Sequence, residues 1–153
     1  MSTYEVKVSE RVQAEAGSVY RVLADYRDGH PHVLPKPYFQ SLEVEEGGIG
    51  AGTIIRVRMK ALGVATHLRM YVSEPEPGRL LQEDDPVAGI TTFFLMEPEP
   101  ERSGCIVTLH TVWRRKKGFA GWLESKLNPP IARSIYTKEL ALIKMFCEKR
   151  HNE

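Results

Sequence analysis

Three residues in the middle of the chain carry side chains that can perform acid–base chemistry. His67, Arg69 and Tyr71 alternate with Leu68 and Met70, so they share one face of an extended segment. Inside a cavity, these three would supply a proton acceptor, a cation and a phenol, which an aldol-type cyclase needs to remove a proton and stabilise an enolate. Because the opposite face is apolar, we expect Leu68 and Met70 to point inward and the three polar residues to face solvent.

A proline-rich segment at 28–37 contains a second possible site. His30 and His32 have the spacing of paired metal ligands, but no third ligand stands at a matching distance along the chain. Three prolines in this segment fix the backbone and remove amide donors, so we expect one further helical turn and then an extended exit. The sequence therefore predicts a surface elbow and no metal site.

Three acidic residues, Glu83, Asp84 and Asp85, precede Pro86. A carboxylate buried in a pocket gains a raised pKa and becomes a base, whereas acidic residues beside a proline are common in turns. We expect a solvated turn here.

The glycine-rich segment 47–52 superficially resembles a phosphate-binding loop. No helical pattern follows it, so no helix N-terminus is available to hold an anion, and a hairpin between two strands is expected. No nucleotide, hydrolase or metalloprotease motif occurs, and the sequence predicts no cofactor. Cys105 and Cys147 lack metal-type spacing and are expected to be reduced thiols.

Apolar periodicity predicts the elements that position these residues. A first strand is followed by a short helix, the elbow, six strands and a long helix that is interrupted by Pro129 and Pro130. In the last strand both faces carry apolar residues, and we favour Val107, Leu109, Thr111 and Trp113 as the inner face. The predicted ranges are 3–13 for the first strand, 16–26 for the short helix, 39–113 for the six strands and 119–149 for the long helix.

Composition limits the classes of function. The chain has 153 residues, 42% of them hydrophobic, and 21 Lys and Arg against 20 Asp and Glu give a net charge of +1. One domain over residues 1–153 is expected, without the overall field that would attract nucleic acid or a membrane. No apolar segment reaches the length of a transmembrane helix, and the N-terminus lacks a signal-peptide core, so we expect a cytoplasmic protein. The basic run Arg114 to Lys117 is expected to be a solvated loop.

The order of elements implies an α+β architecture. About seven antiparallel strands form a sheet with one apolar face, and the C-terminal helix is the large apolar element that can cover it. A curved sheet around a straight helix leaves space between them, which favours an internal pocket.

Four stretches carry a resemblance to a known superfamily: Val22 to Tyr26, His30 to Pro35, Gly47 to Thr53 and Glu74 to Leu80. With the element order, they resemble the START-like, or polyketide cyclase/dehydrase (SRPBCC), superfamily and its helix-grip fold, shared by the birch pollen allergen. The resemblance implies a hydrophobic-ligand pocket between sheet and helix, with the elbow near its entrance. It therefore implies that His32 and Tyr38 contact a ligand's polar end.

We predict that the protein binds or carries a small hydrophobic molecule such as a lipid, isoprenoid, quinone or polyketide-like compound. The alternatives are a cyclase or dehydratase acting on such a compound, and a protein-interaction module. An enzyme needs titratable groups that converge in the pocket, whereas a carrier needs only apolar walls and a mouth. Besides His32 and Tyr38, the predicted lining is Val57, Met59, Leu68, Met70, Phe94, Leu109, Trp113, Ile135 and Tyr136.

Overall fold

A computed structural model of the chain describes residues 2–152. Seven strands and two α-helices follow one another, with a short 3-10 helix, His30–Val33, between the first helix and the second strand. The elements are β1 (Thr3–Val12), α1 (Ala16–Ala24), β2 (Phe39–Glu46), β3 (Ile54–Ala61), β4 (Val64–Glu76), β5 (Leu80–Asp85), β6 (Ile90–Pro98), β7 (Cys105–Arg114) and α2 (Gly118–His151).

All seven strands form one curved antiparallel sheet in the order β1-β7-β6-β5-β4-β3-β2. Strands β2 to β7 pair with their sequence neighbours through turns, and β1 closes against β7, where Val8 lies opposite Leu109. The predicted α+β helix-grip architecture is confirmed. Because side chains alternate across a strand, this sheet has one face toward the core and one toward solvent.

Burial confirms the predicted faces of the strands. On β4 the side chains of Leu68 and Met70 are buried, whereas Tyr71 is exposed. On β7 the inner face consists of Cys105, Val107, Leu109 and Thr111, all of them fully buried, while Trp113 is partly buried at the strand end. The four residues of the predicted inner face therefore share one face of β7, and Trp113 packs against the edge of the core.

The predicted interruption of the long helix is wrong, because α2 runs without a break through Pro129 and Pro130. Proline fixes φ near the helical value, so its main cost in a helix is the lost amide donors. The carbonyls freed at Ser125 and Lys126 lie in a stretch that is exposed or partly buried, where water can satisfy them.

Helix α2 runs along β1 and covers the sheet. Two polar contacts anchor it: the Asn128 side-chain amide donates to the Tyr4 hydroxyl at 2.8 Å, and near the end of the helix Glu148 accepts the Gln13 backbone N–H at 2.8 Å. Between these anchors α2 buries an apolar stripe against the sheet. No helix in residues 2–152 is long and apolar enough to cross a membrane.

The core depends on β7, which lies between β1 and β6 beneath the helix. Leu109 is fully buried there, so Leu109→Ala should lower the free energy of unfolding by about 2–5 kcal/mol through lost burial and the cavity left behind. The same change at the exposed Leu62 should cost less than about 0.5 kcal/mol. Urea denaturation measures both changes, and an equal loss of unfolding free energy in the two variants would contradict the placement of Leu109 in the core.

Candidate functional site

A cavity lies between the inner face of the sheet and α2. Its volume is about 50 Å³, close to the space of one or two water molecules, whereas small-molecule sites occupy roughly 300–1,000 Å³. The site can thus accept a larger molecule only if its lining side chains move apart. The lining residues are His30, Leu34, Phe39, Val57, Met59, Leu68, Met70, Glu83, Ile90, Thr92, Phe94, Tyr136 and Glu139.

Six of the predicted ligand-binding residues lie in this lining. They come from three strands of the sheet, β3, β4 and β6, and from α2, which covers them. The six are Val57, Met59, Leu68, Met70, Phe94 and Tyr136.

The other five predicted residues lie outside the lining. Leu109 and Ile135 are buried in the core, and Trp113 stacks on the Tyr4 ring at 5.1 Å. His32 is exposed and stacks on Phe146, and the Tyr38 hydroxyl accepts a hydrogen bond from the Lys138 ammonium at 2.7 Å. The lining therefore includes six of the nine apolar and aromatic residues predicted for it, and neither His32 nor Tyr38.

Glu83 is the first polar group that the sequence interpretation missed. The expected solvated turn is wrong for Glu83 and Asp85, which are 8% and 5% exposed. Both share the inner face of β5 with Leu81, and that two-residue alternation was the signal in the sequence. Asp85 accepts the amides of the turn that follows, whereas Glu83 reaches the cavity and accepts the Tyr26 hydroxyl at 2.7 Å.

His30 is held beside Glu83 by the elbow after α1. Gly29 permits this turn, because a Cβ there would lie 2.3 Å from the Val22 carbonyl oxygen. The His30 Nδ1 atom lies 2.7 Å from the Leu23 carbonyl oxygen, and since a carbonyl only accepts, Nδ1 carries the proton. The other ring nitrogen, Nε2, is 3.9 Å from Glu83 Oε2. A hydroxyl group placed between them can contact both.

Glu139 brings a second carboxyl to the cavity from α2. Its side chain is 2% exposed, and it lines the cavity together with Glu83. Burial, and then the negative charge of Glu83, raise the pKa of the Glu139 carboxyl well above its ordinary value of 4.5. A carboxyl kept neutral in this way is an O–H donor that points to an apolar space.

A chain of hydroxyl groups completes the polar part of the site. The hydroxyls of Thr92 and Thr111 are 2.8 Å apart, and Thr111 lies 2.6 Å from the Tyr136 hydroxyl. Burial raises the pKa of Tyr136 to about 12, so this phenol stays protonated. It can orient a ligand by hydrogen bonding, but it is a poor base.

The other residues that the sequence singled out form no further site. His67, Arg69 and Tyr71 lie on the outer face of β4, as expected, and Arg69 pairs with Glu45 at 2.8 Å. Within residues 2–152, no group of three His, Cys, Asp or Glu side chains is arranged to hold a metal ion. The glycine-rich segment joins β2 to β3, so the predicted hairpin is confirmed.

No protein-family model matches the sequence, and no curated protein matches it. Solved structures do match along nearly all of the chain. The KanY protein aligns with a TM-score of 0.83 at 23% identity, over 97% of this chain and 99% of that one. The Zhui aromatase/cyclase from a Streptomyces species aligns with a TM-score of 0.76 at 17% identity, over 97% of this chain and 96% of that one. Norcoclaurine synthase from Thalictrum flavum aligns with a TM-score of 0.73 at 16% identity, over 97% of this chain and 96% of that one. Likeness at these identities shows a shared fold.

The buried carboxyl of Glu139 should make stability depend on pH. Because the folded-state pKa is raised, the unfolded chain loses this proton first as the pH rises, which favours unfolding. As the pH rises above the ordinary value of 4.5 towards the raised folded-state pKa, Glu139→Gln should therefore gain up to about 1.4 kcal/mol of stability per pH unit relative to the wild type. Urea denaturation at several pH values measures this, with the exposed Glu43→Gln as control. A constant difference between Glu139→Gln and the wild type would contradict the raised pKa.

Proposed function

We propose that this chain, which has the helix-grip fold of the START-like (SRPBCC) superfamily, binds a small and largely apolar molecule in the cavity under α2. The observation that carries this proposal is the Glu139 carboxyl, which is buried at the cavity with its pKa raised well above 4.5. A buried polar group without a hydrogen bond costs about 1–3 kcal/mol, and a ligand oxygen or nitrogen would recover that cost.

The ligand has an apolar body and a polar end. Val57, Leu68 and Phe94 on the sheet offer only burial, whereas Glu139 on α2 donates and Glu83 on β5 accepts hydrogen bonds. A hydroxyl or carbonyl group on a ring or chain fits this division, as in a quinone, isoprenoid or polyketide-like compound.

Entry requires the wall to open, since about 50 Å³ is too small for such a compound. Met59 and Met70 on the sheet side have unbranched, flexible side chains that can change rotamer at low cost. Phe39, Met59 and Ile90 are only partly buried, so the lining is loosest on their side. We place the entrance there.

Filling the cavity should abolish binding. Met59→Trp adds bulk to the lining, and we expect the affinity for the co-purifying compound, or for 1-anilinonaphthalene-8-sulfonate as a probe, to fall at least about tenfold. Met145→Trp makes the same change at a side chain that is exposed on α2 and should bind as the wild type does. Fluorescence titration and native mass spectrometry measure both, and equal affinities would place the ligand elsewhere.

An acid–base enzyme of the cyclase or dehydratase type is a second candidate. The observation that favours it is the convergence of His30, Glu83 and Glu139 in one cavity, which a passive carrier does not need. His30 Nε2 can remove a proton next to a ligand carbonyl while Glu139 donates to the oxygen that becomes an enol. Two of the similar structures are named as an aromatase/cyclase and a synthase.

The two candidates separate in a turnover assay on the bound compound. If the protein is an enzyme, Glu139→Gln should lower kcat by about 10²–10⁴-fold and leave the dissociation constant within a few-fold, because the amide preserves shape but transfers no proton. Mass spectrometry of ligand recovered after incubation measures turnover. Unchanged ligand with wild-type protein would exclude the enzyme and leave the binding function.

A further inference from the structure

Most of the exposed large apolar side chains lie at one end of the molecule. In this antiparallel order, the β3–β4 and β5–β6 turns lie at the same end of the sheet as the end of β7 and the start of α2. We call the surface formed there the apolar end. Its apolar residues are Leu62, Val64, Val87, Phe119, Trp122 and Leu123.

Direct contacts join the β5–β6 turn to the segment that leads into α2. The Arg114 amide donates to the Gly89 carbonyl at 2.8 Å, and its guanidinium lies 3.5 Å from the Pro86 and Val87 carbonyls. On the first turn of α2, the rings of Phe119 and Trp122 stack at 5.8 Å. Aromatic rings that stack on each other while exposed form a patch that a partner can bury.

Charge is separated along the long axis of the sheet, although the net charge is only +1. The apolar end carries the exposed run Arg114 to Lys117, with Lys60 and Lys126 near it. Its acidic residues are Glu124, which pairs with Lys116 at 3.5 Å, the partly exposed Asp84 and the buried Asp85. The turns at the opposite end carry more carboxylates than cations, although Arg79 pairs with two of these carboxylates and Arg11 with a third. The carboxylates are Glu74, Glu76, Glu97, Glu99 and Glu101.

We propose that the apolar end docks on a lipid bilayer that contains anionic lipids. Aromatic and aliphatic side chains bordered by Lys and Arg are the features that hold a helix in the headgroup region of such a bilayer. A two-fold dimer through the same surface would bring two basic surfaces together, and like charges across an interface are unfavourable. The acidic opposite end would be turned away from the anionic surface.

The ligand cavity lies under this surface. Ile90, which lines the cavity, pairs with Trp113 next to the β5–β6 turn, and Met59 lines it close to the β3–β4 turn. Docking would therefore bring the loose side of the lining next to the bilayer, where apolar molecules dissolve. Docking itself does not depend on any ligand being bound.

Vesicle co-sedimentation tests the proposal. The wild-type protein should bind vesicles of phosphatidylcholine mixed with phosphatidylglycerol, bind pure phosphatidylcholine far more weakly, and dissociate as salt is added. Lys116→Gln with Lys117→Gln should weaken binding about 25-fold, since each cation near the surface contributes about fivefold. Trp122→Ala should also weaken binding, because its ring is then missing from the interface.

Matched controls lie on the same helix and at the opposite end. Met145→Ala removes an exposed apolar side chain from the other half of α2, and Arg102→Gln removes a cation from the β6–β7 turn, so both should bind vesicles as the wild type does. All these positions are exposed, and thermal melting should confirm that the variants fold.

Three results would overturn the proposal. The first is wild-type protein that stays in solution with anionic vesicles at low salt, and the second is equal binding by the Lys116→Gln, Lys117→Gln variant. The third is a dimer that needs Trp122 and ignores vesicles, which would assign the surface to a second copy of the chain. Ligand binding measured without vesicles is a separate result, so each proposal can fail alone.

Discussion

The structure depends on α2 covering the one apolar face of a curved sheet. A seven-stranded antiparallel sheet with Val57, Met70, Phe94 and Leu109 on the same face cannot remain exposed, and α2 is the long helix with a matching stripe. A straight helix follows a curved sheet closely only along part of its length, here beside β1. The space left on the other side of α2 becomes the cavity.

Each polar group in that cavity must either form a hydrogen bond or stay uncharged to be stable. Glu83 has a hydrogen bond from Tyr26, and Tyr136 is joined to the threonines of β6 and β7. Burial and the nearby charge of Glu83 keep the proton on Glu139, which limits the cost of burying its carboxyl. Apolar side chains of the same size would pack there with less penalty, so the carboxyls are best explained by a function that uses them. This is why we consider both binding and acid–base chemistry.

Alternation and helical periodicity predicted most of the fold, because each strand has one buried face and each helix one buried stripe. The same reasoning failed where a polar residue occupies an inner position: Glu83 was assigned to a turn by its neighbours Asp84 and Pro86, although its spacing from Leu81 placed it inward. His30 was hidden for another reason. Its position depends on the close approach of Gly29 to Val22, a contact that residue spacing does not reveal. The prediction of a break at the prolines of α2 was wrong because the carbonyls that lose a hydrogen bond, those of Ser125 and Lys126, lie outside the tightly packed part of the helix.

The most direct test of a ligand site beneath α2 is a carbon-13 NMR titration of the Glu139 side-chain carboxyl, whose signal is assigned by its loss in Glu139→Gln. We expect a titration midpoint well above 4.5 in the free protein. When an apolar ligand with a hydroxyl or carbonyl group saturates the protein, the Glu139 signal should shift and the Glu43 signal should not. A Glu139 signal that titrates as an ordinary glutamate and ignores such a ligand would contradict a ligand site beneath α2.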